Sequence, residues 1–189
     1  MTGELGQSME GTSVIAVTPE DLVAELEATF AAWAQRAYWI ALDISGEPEE
    51  ARDAVQDAWV LARSSLPRFR HDAAMHTWLL RIVVNRALKA LRRRRIRVRL
   101  SHLLPGVVAP PVSTSPGPEE LLQMAEQAAR VRTALAGLAA QQRAAFVLRH
   151  VHGLSVPEVA QTLGVSPGTT KTHLLRAVKR LRSTLEESP

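Results

Sequence analysis

Apolar residues recur along most of this chain at the i, i+3, i+4 spacing of a helix, and β-branched runs of strand type are missing. The clearest case lies between Phe69 and Arg99. A helix beginning near Ala73 puts Leu80, Val83, Val84, Ala87, Leu88 and Leu91 on one core-facing stripe. Its opposite face carries Trp78, Arg81, Ile82, Asn85, Lys89 and Arg92. Upstream, Thr18-Pro19-Glu20-Asp21 predicts a helix start, with Thr18 as N-cap, proline at the first helical position and acids facing the positive helix end. That helix carries Leu22, Leu26, Phe30 and Trp33 toward Ala41, and Ser45-Gly46-Glu47-Pro48 breaks it. Another follows over Glu49–Arg63, with Ala54, Val55, Ala58, Leu61 and Ala62 as its core side. Residues 100–118 hold five prolines and no regular apolar period, the composition of a linker. Beyond it the helical period returns, first through Leu121, Leu122, Ala125, Ala128 and Val131 to Leu138, then over Gln141–His152 to a break at Gly153. The pattern predicts an all-α protein: a flexible tail over 1–17, two small helical domains over 18–99 and 119–189, and a Pro-rich linker over 100–118.

Composition sharpens this picture through charge. The 189 residues carry a formal net charge of +4, unevenly spread. Residues 1–72 hold 13 acids and 5 bases, a net of −8; residues 73–189 hold 6 acids and 18 bases, a net of +12. Between Ala73 and Pro118 there is no Asp or Glu, although Arg92 to Arg95, Arg97 and Arg99 fall there. An amphipathic helix with a solvated basic end has the same periodicity, but a cationic run without a nearby acid in the sequence favours a polyanion partner. An indole, an amide and several cations on one face suit unstacked bases and phosphates. The absence of Cys excludes disulfides and thiolate metal sites. The first ten residues lack the basic start and apolar core of a signal peptide, and no apolar run approaches a membrane span, so a cytoplasmic protein without membrane insertion is expected.

Two further stretches bear on function. Asp53, Gln56, Asp57 and Val60 share one face of their helix. Paired acids one turn apart could suggest general acid/base chemistry, but no His accompanies them, and a solvated face or a docking face for a basic partner suits them better. The segment Val156–Glu187 has a helix-turn-helix pattern: Val156, Val159 and Ala160 on the first helix, Gly164 in the turn, Ser166 as N-cap followed by Pro167. On the second helix Thr170, Leu174, Ala177, Val178 and Leu181 are read as inward. Thr169, Thr172, His173, Arg176, Lys179 and Arg180 are read as outward. Three-helix cores imitate such a pattern, but the outward cations and hydroxyls favour DNA, with the second helix in the major groove. His150 and His152 diverge on a helix and make poor metal ligands. His71 beside Asp72 could form an acid/base dyad but has no recognisable nucleophile. No catalytic residue, metal site or cofactor motif is found.

Taken in order, these segments resemble the extracytoplasmic-function (ECF) sigma factors of bacterial RNA polymerase, the small two-domain members of the sigma-70 family. The resemblance covers roughly residues 22–185. The stretch from Ala37 to Ala62 resembles the polymerase-docking region, Phe69 to Arg95 the promoter-melting and −10-reading segment, and Ala134 to Arg182 the −35-reading domain. It implies a sigma factor with no catalysis of its own that binds core polymerase and directs promoter-specific initiation. Asp53, Gln56, Asp57, Trp59 and Val60 would meet the clamp helices of the largest polymerase subunit. Phe69, Arg70, His71 and Asp72 would form a loop capturing a base flipped from the −10 element. Asn85 would hold the opened strand, with Trp78, Arg81, Ile82, Lys89 and Arg92 beside it. Lys171, Thr172, His173 and Arg176 would enter the −35 major groove, flanked by Thr169, Lys179 and Arg180. Further implied partners are the flap of the second polymerase subunit and an anti-sigma protein. The linker would thread toward the RNA exit channel. The chain departs from the family pattern at Ala139 and Ala140, where a proline usually follows the leucine. It also departs at Thr170 for a typical valine, His173 for a common arginine and Met75 for an often aromatic residue.

Overall fold

A computed structural model describes residues 18–101 and 130–186. The expected tail, the linker and the start of the helix after Pro118 lie outside the described residues. Helix α1 spans Pro19–Ser45, α2 Pro48–Ser65 and α3 Met75–Ser101, with a short 3-10 turn at Leu66–Arg68. Helix α4 covers 130–136 of the described chain. Helix α5 spans Ala140–Phe146 and continues as a π-turn over Val147–Val151; α6 spans Val156–Leu163 and α7 Pro167–Glu186. There is no strand among the described residues.

Local chemistry sets the helix ends. Thr18 and Asp21 form the expected cap reciprocally: the Asp21 N–H donates to Thr18 Oγ1 at 3.1 Å, and the Thr18 N–H to Asp21 Oδ2 at 2.9 Å. These bonds hold the Asp21 carboxyl below its ordinary pKa. Helix α1 runs one turn past the expected Ala41, because Ile44 and Ser45 are fully buried and sustain it to Gly46, whose left-handed φ of +84° ends it. Ser155 and Glu158 repeat the reciprocal cap on α6, and Gly164, at φ +67°, ends that helix.

Helices α1, α2 and α3 pack on one another. Helix α2 turns Ala51, Ala54, Ala58 and Ala62 inward, which lets its neighbours approach closely. The predicted α3 stripe is buried as expected: Leu80, Val83, Val84, Ala87, Leu88 and Leu91 are all 5% exposed or less. In the second unit Ala134, Leu135, Leu138, Ala177 and Leu181 form a small core. The two units are in contact. Ala144, Ala145, Val147, Leu148, Leu154, Val159 and Leu163 join the α1–α3 residues in a single apolar cluster.

Polar contacts cross the same junction. Arg143 of α5 is 5% exposed and donates to the Asp43 carbonyl from Nε at 3.0 Å and Nη2 at 2.8 Å. That carbonyl lies in the last turn of α1, which has no basic residue of its own, so Arg143 supplies the missing cation. Burial first, then the guanidiniums of Arg95 and Arg94, brings the Arg143 pKa down to about 10, which leaves it charged at neutral pH. Hydrogen bonds from a buried charged donor contribute about 1.5–3 kcal/mol each. In the reverse direction Arg95 of α3 donates to the carbonyls of Ala136 and Leu138.

Helix α5 explains how Ala139 and Ala140 stand where the resemblance leads one to expect a proline. Ala139 sits at the N-cap with φ −60° and ψ 147°, which is the conformation a following proline requires. Ala140 is the first helical residue, where a missing N–H costs no helical bond. Ala140→Pro should therefore raise unfolding free energy by roughly 0.4–1 kcal/mol through the unfolded chain. Denaturant unfolding checks this, and a loss of stability would show that the ring meets a neighbour.

Candidate nucleic-acid interface

The outward face of α3 and the loop before it form the first candidate surface. Arg81, Asn85, Lys89 and Arg92 are exposed, as are Arg70, His71 and Asp72. Two members of the predicted face sit deeper. Ile82 is half-buried and packs on two apolar clusters, the one shared by both units and the one around Leu26, Met75 and Leu79, and Trp78 is half-buried against the latter. Ile82 is therefore largely a packing residue, and the sequence left it on the polar face because its sector borders the core stripe. Trp78 keeps an open edge. Its ring lies 5.1 Å from Phe69, and Phe69 lies 4.5 Å from His71, which makes a continuous aromatic run. His71 is the one non-glycine residue among those described with positive φ, at 56°. Histidine tolerates this region better than most side chains. A hollow of about 310 Å³ opens here, lined by Arg68, Phe69, Arg70, Asp72, Trp78 and Arg81 and reached by Gln161 of α6. Aromatic faces beside cations in an open hollow can stack a base and grip its phosphate.

The basic run is less bare than the sequence suggested. Arg94 pairs with Glu47, the N-cap of α2, and Arg97 lies 3.6 Å from Glu50 of α2, so acids compensate these two arginines from across the fold. Arg92 and Arg93 remain exposed. Glu50 is a residue sequence reasoning missed. Burial raises its pKa against the opposing pull of Arg94 and Arg97, and its Oε2 is buried without a hydrogen-bond partner.

The acidic face of α2 is where the pattern put it. Asp53, Gln56, Asp57 and Val60 are exposed, Val60 to 62%. The first three line a groove of about 400 Å³ whose other wall is α3, through Arg86, Lys89, Arg93 and Arg97. Asp57 reaches Arg86 at 3.5 Å across it. Trp59 stands apart: it is half-buried, with its ring 4.6 Å from Phe30 and Arg63 over it. Its position is explained by packing on the α1 side.

The second candidate surface is α7. Ser166 caps it by accepting from the Thr169 N–H at 3.1 Å. Thr169, Lys171, Thr172, Arg176, Lys179 and Arg180 are exposed, while Thr170, Ala177 and Leu181 are buried. Thr170, in place of a valine, keeps its hydroxyl satisfied by donating to the Ser166 carbonyl at 3.1 Å. Two assignments shift. Val178, read as inward, is 37% exposed. His173, read as outward, is half-buried, and its Nδ1 is buried without a partner, leaving Nε2 as its outward contact atom. The helix-turn-helix geometry thus presents a cationic, hydroxyl-bearing face over three turns.

Comparison with known proteins places the chain in a family. The family model "Sigma-70 region 2" matches residues 29–96, and "Sigma-70, region 4" matches residues 128–181. The chain is 39% identical over 133 residues to the ECF RNA polymerase sigma factor SigM of Mycobacterium tuberculosis, a match covering 70% of this chain and 63% of that protein. It is 34% identical over 149 residues to the RNA polymerase sigma factor CnrH of Cupriavidus metallidurans, covering 75% of this chain and 76% of that one. Among solved structures it resembles CnrH in complex with the cytosolic domain of CnrY, with a TM-score of 0.62, 26% identity and coverage of 87% and 89% of the two chains. It also resembles the sigma factor RpoE in complex with the anti-sigma factor NepR from Bartonella quintana, with a TM-score of 0.59, 26% identity and coverage of 90% and 99%. The chain belongs to the ECF sigma factor family, whose members are transcription initiation factors. Among the described residues no helix is long and apolar enough to cross a membrane, and no cluster of His, Asp or Glu could hold a metal ion.

Proposed function

We propose that this chain is a promoter-specificity subunit: it binds core RNA polymerase, reads the −35 element with α7 and captures the melted −10 element with α3 and the loop before it. The observation that carries this reading is the pairing, in one chain matched by both sigma regions, of an aromatic-lined hollow before an exposed polar face of α3 with a helix-turn-helix whose outer face is cationic. The polymerase does the chemistry; the chain supplies binding alone and acts in the cytoplasm. Flipping and unstacking a base costs a few kcal/mol. Stacking on Phe69 and Trp78, at about 1–3 kcal/mol per base, offsets that cost, so recognition and melting become one step. Asp53, Gln56, Asp57 and Val60 form the docking face toward the clamp helices. The flap of the second subunit and an anti-sigma protein are further partners. The two helical units, over 18–99 and 119–189, are the two reading domains.

Run-off transcription with core polymerase on a genomic library tests the whole reading, since active templates would share both promoter elements. A free-standing operator-binding regulator would give DNA retention without transcripts. At the −35 contact, Arg176→Ala should weaken duplex binding and reduce the slope of log K against log salt by about 1. An unchanged slope in a salt titration would place that guanidinium off the phosphates.

A further inference from the structure

Helix α3 carries two basic sectors. At about 100° per residue, Arg81, Asn85 and Arg92 share one side of the helix, and Arg86, Arg93 and Arg97 share another, roughly 120° further round. Lys89 lies between the two. The first sector reaches the hollow at Phe69 and Trp78 through Arg81. The second forms the α3 wall of the groove whose α2 wall carries Asp53, Gln56 and Asp57. That groove is closed at its ends and open in its middle. At one end Arg86 meets Asp57 at 3.5 Å, and at the other Arg97 meets Glu50 at 3.6 Å. Between them Asp53, Lys89 and Arg93 line the same space of about 400 Å³ and take part in no ion pair among the described residues. Ala54 and Ala90 also line it, and their short side chains leave the middle clear.

The middle of the groove is therefore a slot with a carboxylate on one wall and cations on the other. A purely basic partner satisfies only the α2 wall and sets its own charge against Arg93, which repels it. Nucleic acid fits no better, because a phosphate drawn to Arg93 also meets Asp53 and Asp57. A helix with bases along one edge and acids along the other satisfies both walls at once. We propose that Arg93, with Lys89, is a second wall of the polymerase contact. The segment of core polymerase seated there is a helix with a basic edge toward Asp53 and Asp57 and an acidic edge toward Arg93. This deepens the docking reading given above for α2 and rests on it, since the groove is continuous with that exposed face. The two sectors of α3 then divide their work: the side of Arg81, Asn85 and Arg92 meets DNA, and the side of Arg93 meets protein. The acids of α2 enforce the division by turning phosphates away from the groove, which is specificity by repulsion as well as by fit.

Arg92 and Arg93 are adjacent and both exposed, so Arg92→Glu and Arg93→Glu change the net charge equally at nearly the same place. Arg93→Glu should weaken binding of the full-length chain to core polymerase about tenfold or more, read by anisotropy, at an unchanged melting temperature. Arg93→Lys, which keeps the charge, should stay within about threefold of wild type. Arg92→Glu should also keep core affinity within about threefold, while the assembled complex retains less promoter DNA. Equal weakening by the two glutamates would reduce the effect to the overall field of the chain and overturn the second wall. Core affinity untouched by Arg93→Glu, with or without a loss of DNA retention, would overturn it too. If reversal of Asp53 and Asp57 abolishes core binding and Arg93→Glu does not, the docking reading stands and only this wall falls. A wild-type chain that fails to bind core polymerase would refute the docking reading and the wall with it.

Discussion

Reversing Asp53 and Asp57 together to arginine should weaken association with core RNA polymerase by about 100-fold or more while leaving the fold intact. Both carboxylates are exposed on α2, at the rim of the groove that faces Arg86 and Lys89. The ion pair of Asp57 with Arg86 spans 3.5 Å with the Asp57 side chain 62% exposed. Such a pair contributes under about 1 kcal/mol, so its loss does not threaten the three-helix core. At a docking surface the same reversal places like charges against a basic partner, which costs several kcal/mol, and each 1.4 kcal/mol is tenfold in affinity. Anisotropy of labelled chain titrated with core polymerase checks this. Equal affinity, with an unchanged melting temperature, would remove the α2 face from the interface.

Asn85→Ala should lower the equilibrium for open-complex formation by about 5- to 150-fold and leave closed-complex binding nearly unchanged, the fold-change equivalent to the roughly 1–3 kcal/mol of a side-chain amide paired to a base edge. Asn85 is exposed on α3, one turn after Arg81, on the open side of the helix. Its side chain supports no packing, so the stability change should stay within about 0.5 kcal/mol. Comparing heparin-resistant complexes with total retained DNA separates the two steps. Equal losses in both would mean that Asn85 meets duplex DNA, not a released strand.

Much of the fold was legible because it follows from local rules. The Leu80–Leu91 stripe, the Thr18 cap, the break at Gly46 and the Ser166 cap each need only a few neighbouring residues, and all lie where the periodicity and capping chemistry put them. What escaped depends on partners distant in sequence. The buried role of Arg143 is set by a carbonyl one hundred residues away, at the end of a helix that lacks its own terminal cation. Arg94 and Arg97 looked uncompensated in sequence because their acids, Glu47 and Glu50, sit at the start of another helix, as its N-cap and in its first turn. Ile82 was placed by face alone and Trp59 by resemblance, and neighbouring helices decided their burial. The site residues that stayed accessible, such as Asn85, Asp53 and Arg176, are those whose exposure follows from the phase of their own helix.

The central claim is that this chain opens promoter DNA while attached to polymerase, and permanganate reactivity of unpaired thymines tests it most directly. On a template found by run-off selection, core polymerase with the chain should expose reactive thymines over the −10 element, and core polymerase alone should not. Duplex that stays unreactive with both proteins present and bound would contradict the account.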